Sequence, residues 1–530
     1  MKEDTIAKKS STLPLEFVTS RRITIDYINH ADKIMRVFRK HFREPTPRKL
    51  DIDRERLVDR LLNYNKKLDA PNQVVQNIES LSQTKTQVVV TGQQPCLFSG
   101  PLYTIYKAIS TIVICERLST PKYPLVPIFW NASEDHDFSE VDHINIFMQN
   151  KPYKISYDYS VKGIALAQIR LDKSELNKML TMIADISPDS EFKTDLLRKS
   201  KEIIEKSFNI GDFFSRFMTW LFGESGLIMM EPHYFRDLMT SVFDKLIRHP
   251  AECTQILNRT GLQLEKLGYS PRIHKKSNIC NFFLLNENGE RMRITFNGKF
   301  QALNESFSQR ELLDLLESTP SRFSANALTR PITQDLFLPT FAYVAGPNEI
   351  AYQAQLRELY DFFSIETPVL FPRFGATIVE KKISRVLKKY SVEIHQLKDP
   401  AKLMKELAKK RMENIFNSFK NEISRNMSEV TQEAGSIDKA LIEPCTITKG
   451  RIFKTIEALE DKIASKVKRH NMTAQQQIMK AHNNLFPNNQ LQERQVNAME
   501  YIMKFGKTFL TTVYESFLEA DYGEHKVINC

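Results

Sequence analysis

The sequence predicts an α/β protein built on an open parallel sheet, with a C-terminal helical hairpin added to it. Three observations predict this. A β-branched run, Gln87–Thr91, ends in a Gly-bounded polar loop, and a helix opens at Pro101. A second apolar run, Leu125–Asn131, stops at a dense ionisable cluster, Glu134–Asp137. Between residues 376 and 483 apolar positions recur three or four apart with charges in the gaps, the pattern of paired amphipathic helices.

Residues 1–84 read as a helical lead-in packed on the core, with helices over Arg54–Leu68 and Asn72–Ser82. Residues 85–150 form the first half of the core. The helix there opens on Pro101 and gathers Leu102, Ile105, Tyr106, Ile109, Ile112 and Val113 on one face. Residues 151–225 are a connecting insertion, with alternating pieces at Lys154–Tyr159 and Ile164–Leu171 and a helical stretch at Glu191–Phe208. Residues 226–390 make the second half of the core. Leu227–Met230 ends in Glu231 and leads to a helix over Tyr234–Arg248. A β-hairpin, Phe282–Leu285 and Arg291–Phe296, interrupts near 280–300. A strand through Leu338–Val344 then gives way to Gly346-Pro347 and a helix, and Pro368–Phe371 is the last core strand. Residues 391–483 form the coiled-coil arm, broken between Gly435 and Gly450 around Pro444. Its stripes are Phe416, Phe419, Ile423, Met427, Val430 and Ile452, Ile456, Leu459, Ile463, Val467. Residues 484–530 return to the core and end in a late edge strand at His525–Cys530.

A chain of 530 residues exceeds a single core. The formal charge of +11 reads as spread along the chain, a solvated lysine-rich surface with some attraction for anions. Six scattered cysteines show no zinc spacing and fit reduced thiols. No apolar segment follows Met1. The uncharged stretch Thr86–Tyr106 carries glycines, prolines and glutamines, so it does not read as a membrane span. No stretch interleaves aromatic and basic residues as a nucleic-acid surface would. The expectation is a cytoplasmic protein with neither membrane nor nucleic acid as partner.

Three places carry candidate chemistry. In the first loop, Gly92, Gln93, Gln94, Ser99 and Gly100 precede a helix bearing Tyr103 and Lys107, and N–H groups so placed bind anions. The loop matches neither the dinucleotide nor the P-loop fingerprint, and a tight turn without ligand is the bland alternative. In the second, Trp130 and Asn131 lead to Glu134, Asp135, His136 and Asp137. One carboxylate there suits an ammonium, His136 general acid–base work, and a neighbouring acid its tautomer. Surface charge is the alternative, and a metal the weaker one. In the third, Tyr343, Gly346, Asn348, Glu349 and Tyr352 surround a strand end. Glu349 suits either a substrate or the helix dipole. Arg330 and Arg373 are carboxylate or phosphate clamps, or structural ion pairs. Cys96 reads as a small loop side chain, not a nucleophile.

Read together, these motifs resemble the bacillithiol biosynthesis cysteine-adding enzyme family, BshC. The resemblance is carried by Thr91–Pro95 with Phe98–Lys107, by Phe129-Trp130 with Glu134–Phe138, and by Leu338–Thr340 with Tyr343-Val344 and Gly346–Tyr352. Arg330-Pro331, Gln334-Asp335, Pro372-Arg373 and Gln492-Glu493-Arg494 add to it, so that Arg494 joins the candidate binding residues. The resemblance implies a Rossmann-like core of the class I aminoacyl-tRNA-synthetase type and a coiled-coil arm that makes a homodimer. It implies the last step of bacillithiol synthesis, in which cysteine is joined by an amide bond to the amino group of glucosaminyl malate. Activating a free carboxylate calls for ATP, with Mg²⁺ a candidate companion. On this reading Glu134 or Asp135 holds the cysteine ammonium and His136 with Asp137 helps deprotonate the sugar amine. Gly92–Gly100 then holds a phosphate or a malate carboxylate. The family usually has Gly at the position of Cys96, and often Gly at that of Asn348, where Asn tolerates left-handed angles. The competing expectations are a nucleotidylyltransferase acting on another small acid and a non-catalytic coiled-coil scaffold binding nucleic acid.

Overall fold

The computed structural model describes residues 12–530 apart from 49, 159–162, 272 and 471, and it omits the side chains of 411–414, 464, 465 and 467–470. Expectations touching residues 1–11, Tyr159 and the Val467 side chain lie outside the described residues. The chain divides into two units. One takes in residues up to Met148, Pro152–Thr377 and Gln492–Ile528; the other is essentially Ile378–Leu491.

The first unit is organised on five parallel strands: β1 (Gln87–Gln93), β2 (Leu125–Asn131), β3 (Ile228–Met230), β4 (Thr340–Ala345) and β5 (Val369–Pro372). Their order is β5-β4-β1-β2-β3. Near-continuous Val, Ile and Phe runs produce this sheet because both of its faces are covered. The helix α1 (Arg54–Lys67) seals the β3 edge: the Asn65 side chain donates to Met229 O at 2.9 Å and accepts from Met229 N at 3.1 Å. The helix α2 (Leu102–Leu118) runs from β1 to β2. It is buried on more than one face because the helix Thr508–Leu518 packs on its far side, Tyr106 against Phe517. The helices α3 (Ile210–Phe222), α4 (Arg330–Phe337) and α5 (Pro347–Gln353) complete the frame. The strand order reverses between β1 and β4. In an open α/β sheet that is where a crevice opens outside the carboxyl ends of the strands.

Several local expectations are corrected. The helix expected from Tyr234 starts only at Thr240, after two short 3-10 turns. The expected hairpin is the middle of a five-stranded antiparallel sheet whose other strands, Glu305–Phe307, Phe300–Ala302 and Phe323–Ala325, are too short to show a period. The C-terminal strand is no edge: His525–Ile528 lies between Thr12–Leu13 and Gly375–Thr377. The parallel sheet ends at Pro372 as expected, and the next strand, beginning at Gly375, joins the separate three-stranded sheet of the C-terminal strand.

The second unit, taken alone, contains the arm. The helices α6 (Pro400–Ile437) and α7 (Ile442–His470) pair, tied by Lys420 to Glu460 at 2.9 Å and Lys405 to Asp461 at 3.1 Å. The break is only Asp438–Leu441. Pro444 sits in the first turn of α7, where no N–H is missed, and Gly435 and Gly450 are helical. Phe416 and Ile456 are buried in the seam, but Phe419, Val430 and Leu459 are 47, 53 and 48 % exposed. The charge is also not evenly spread. Residues 378–491 hold 22 Lys and Arg against 13 Asp and Glu, so nine of the eleven excess charges belong to this unit. Net charge is therefore no argument about the strand-end crevice.

Candidate active site

At the β1/β4 reversal stands a buried ion pair. Lys107 Nζ, from the second turn of α2, lies 2.7 Å from Glu349 Oε2, in the first turn of α5. Lys107 also donates to Gly92 O at 2.7 Å and to Gln93 Oε1 at 3.2 Å. Glu349 accepts from Gly346 N at 2.8 Å and from the Tyr343 hydroxyl at 2.7 Å. Burial works against the Glu349 charge, but Lys107 and these donors outweigh it and hold the carboxyl below its ordinary value. Around the pair lie Gln93 with Tyr103, 3.1 Å apart, and Arg330, which reaches the Tyr352 hydroxyl at 3.0 Å and the Tyr343 hydroxyl at 3.3 Å.

The two expected clamps differ. Arg373 is 9 % exposed and forms a bidentate pair with Glu493 at 2.9 and 2.5 Å, so it is a structural ion pair. Among the described residues the Arg330 hydrogen bonds go to the Tyr343 and Tyr352 hydroxyls and the Gln334 amide, with Glu349 near enough to attract its charge but not to pair with it. Arg494 lies close enough to Tyr103 and Glu493 to act on both electrostatically, but among the described residues it has no carboxylate in ion-pair range.

The first loop is built differently from the expectation. The N–H groups of Gly100, Leu102 and Thr104 are spent on the carbonyls of Leu97, Val496 and Pro101. The α2 N-terminus is closed by the chain's own C-terminal segment, and the loop presents side chains instead. Phe98, Ser99 and Gly100 all have positive φ, at 47°, 73° and 73°, a strained run of the kind that functional turns keep. Ser99 is fully buried with its hydroxyl unpartnered. Gly92 lies against β2, where a Cβ would come within 3.0 Å of Trp130 O. Cys96 donates to Gln94 O at 3.2 Å, and burial pushes its thiol up to about 12. Its Cβ fills the space opposite Gly100, where an added Cβ would lie 2.6 Å away. Asn348 sits in the first turn of α5 without a positive φ, so its tolerance for left-handed angles is unused. Its Oδ1 accepts from Arg21 at 3.3 Å.

The acidic cluster is split four ways. Glu134 is buried, paired with Arg236 at 2.8 Å and accepting from Ser324 at 3.1 Å. Asp135 caps its own turn through the N–H groups of His136 and Asp137 and accepts from Gln94 at 2.8 Å, linking this loop to the first. His136 is exposed, its Nδ1 3.3 Å from Arg291, which stacks on Phe283. Asp137 is exposed and accepts from Ser139. Trp130 is a core residue, 1 % exposed and packed near Phe337. Asn131 is buried at the end of β2 beside Gln93. Among the described residues no group of three or more His, Cys, Asp or Glu side chains is placed to hold a metal, and no helix is long and apolar enough to cross a membrane.

Residues 9–374 match the family model described as Bacillithiol biosynthesis BshC, N-terminal Rossmann-like domain, and residues 376–530 match its C-terminal coiled-coil domain. The chain belongs to the BshC family. A relative from Salinibacter ruber is 31 % identical over 489 residues, covering 90 % of this chain and 89 % of its own length. One from Bacillus cytotoxicus is 30 % identical over 541 residues, covering 98 % and 99 %. Both are named "Putative cysteine ligase BshC". The BshC-type Rossmann-like domain thus contains all three strand ends singled out by the sequence.

Four residues of this region were missed as site residues: Tyr64, Glu231, Arg236 and Arg291. Only Glu231 had a signal, as an acid ending an apolar strand. The arginines lie on elements whose approach to the acidic loop is purely tertiary. Glu231 is 1 % exposed and accepts from the Tyr64 hydroxyl at 2.9 Å. Burial raises its carboxyl from 4.5 to about 7. A carboxyl raised on folding contributes stability that is complete below its ordinary value and lost as pH rises through about 7. Glu231→Gln should therefore gain on the wild type by roughly 2–3 kcal/mol between pH 5 and pH 8. Circular-dichroism melts across that range test this, and parallel stability curves would refute it.

Proposed function

We propose that this chain is a cysteine ligase of bacillithiol biosynthesis that joins L-cysteine by an amide bond to the amino group of glucosaminyl malate. The observation that carries the reading is the charge at the β1/β4 crevice. Lys107 is balanced by Glu349 and Arg373 by Glu493, which leaves Arg330 and Arg494 without a carboxylate among the described residues. Two uncompensated guanidinium groups fit a dianion, and malate offers two carboxylates that guanidinium forks bind well. ATP is the co-substrate that makes the cysteine carboxylate reactive, and any Mg²⁺ comes with its phosphates, since Mg²⁺ is bound largely through substrate oxygens. The sugar amine then attacks the activated carbonyl carbon, a C–N bond forms, the activating group leaves with its electron pair, and the amine gives up a proton. His136, exposed within 3.8 Å of Asp135 and 3.3 Å of Arg291, is the residue to which we assign that proton.

The arm supports a second part of the proposal. Its exposed apolar side chains, Ile415, Phe419, Val430, Ile447 and Leu459, suit a second copy of the chain. Light scattering should give twice the chain mass for the wild type and a monomer for Phe419→Lys; a monomeric wild type would refute the dimer.

A strain lacking this gene should accumulate glucosaminyl malate and lose bacillithiol, with the wild-type gene restoring it. Unchanged bacillithiol in that strain would sink the assignment. With purified protein, Arg330→Ala should weaken glucosaminyl malate binding by about tenfold to a hundredfold, the range for a hydrogen bond to a charged group. Calorimetric titration reads this directly, and an unchanged Kd would remove Arg330 from the site.

A further inference from the structure

Buried acceptors gather at the corner where β2 and β3 end. Asn131, Ser133 and Glu231 are 0, 0 and 1 % exposed there. The Asn131 amide is fixed in orientation, because Nδ2 donates to Gly211 O at 3.0 Å and to Ser215 Oγ at 2.9 Å, and a carbonyl can only accept. Its Oδ1 is buried without a donor among the described residues; Ser133 Oγ and Glu231 Oε1 are buried beside it, and the Ser133 hydroxyl, a donor as well as an acceptor, bonds the Glu231 carboxyl and keeps lone pairs to offer. All three groups gather around Gly211, where a Cβ would lie 2.2 Å from Glu231 Oε1 and 3.2 Å from Ser133 Cβ. The other Glu231 oxygen is held by Tyr64, whose hydroxyl also meets Ser215 at 2.8 Å. The His233 ring, a quarter exposed, places Nδ1 3.5 Å from Glu231 Oε1.

A buried acceptor left unmet is costly. The group that would satisfy this corner is compact, positively charged and rich in N–H donors. A primary ammonium brings three donors and no acceptor, whereas a water brings two donors and no charge. The corner also adjoins the crevice, since Asn131 pairs with Gln93 at the end of β1.

We infer that Asn131 Oδ1, Ser133 Oγ and Glu231 Oε1 form a subsite for a primary ammonium group, entered past the His233 ring. The inference rests on the function proposed above, in which cysteine and glucosaminyl malate both carry a primary amine. It gives the ammonium to Glu231 rather than to Glu134, whose charge Arg236 already balances.

The test uses the full chain. Methylammonium should raise the melting temperature of the wild type above that in tetramethylammonium, which has no N–H, at equal ionic strength. Glu231→Gln should abolish the difference. In titrations, either L-cysteine should bind about tenfold tighter than 3-mercaptopropionate, or glucosaminyl malate about tenfold tighter than glucosyl malate; the arm that discriminates identifies the amine. That ratio should fall to about one in Glu231→Gln, with the amine-free analogue binding as before. Equal melting of the wild type in the two cations overturns the subsite, as does a ratio retained in Glu231→Gln. A methylammonium response with no discrimination between either substrate and its analogue keeps the subsite and overturns the proposed function.

Discussion

The Lys107–Glu349 ion pair is the contact on which the strand-end crevice depends. Two charges taken out of water are costly, and their attraction compensates only when the remaining donors and acceptors are satisfied. Here they are: Lys107 has Gly92 O and Gln93 Oε1 besides Glu349, and Glu349 has Gly346 N and Tyr343 besides Lys107. Such a pair adds little to stability compared with an apolar replacement. What it fixes is position. It ties the helix after β1 to the helix after β4, across the one place where the strand order turns back, and so sets the width of the opening between them.

That constraint shapes what the crevice can bind. With Lys107 paired to Glu349 and Arg373 to Glu493, Arg330 and Arg494 are left, among the described residues, without a carboxylate in ion-pair range. The Arg373–Glu493 pair has a second consequence. Glu493 belongs to the segment that also closes the α2 N-terminus through Val496. The Leu102 N–H at the start of that helix is therefore spent within the chain, and the loop presents side chains. This is a different solution from the glycine-rich phosphate loops that the Gly92–Gly100 spacing brings to mind.

The fold was largely legible because its signals are local. Apolar runs gave all five parallel strands to within two residues, and Pro101 and Pro347 marked their helices. The coiled-coil period was equally plain, although Gly435, Pro444 and Gly450 were over-read as a break when a first-turn proline and an exposed glycine are cheap in a long helix. The site was legible only in part. Which residues end the strands could be read, but not how they pair. Arg330 and Arg373 look alike in sequence, and only the arrival of Glu493, 120 residues beyond Arg373, separates a free clamp from a structural one. Arg236 reaches Glu134 over a comparable separation of 102 residues.

The acidic cluster is where this matters most. Four consecutive ionisable residues invite a single catalytic role, but their neighbours divide them: Glu134 anchors Arg236, Asp135 shapes the turn and joins it to Gln94, and only His136 and Asp137 face solvent. The division follows from the sheet. Beyond a strand end each further residue moves away from the crevice, so the side chains nearest the chemistry are the last of the strand and the first after it: Gln93, Asn131, Glu231, Gly346 and Arg373 on the five strands in turn. Read along that row, the buried acid Glu231 stands at one side and the arginines Arg330 and Arg373, the latter already balanced by Glu493, towards the other, with the Lys107–Glu349 pair between. A substrate pair with carboxylates at one end and an amine at the other would lie along such a row in one direction only. On the proposed function, the strand-end order, more than any single residue of the acidic motif, orients the reacting groups.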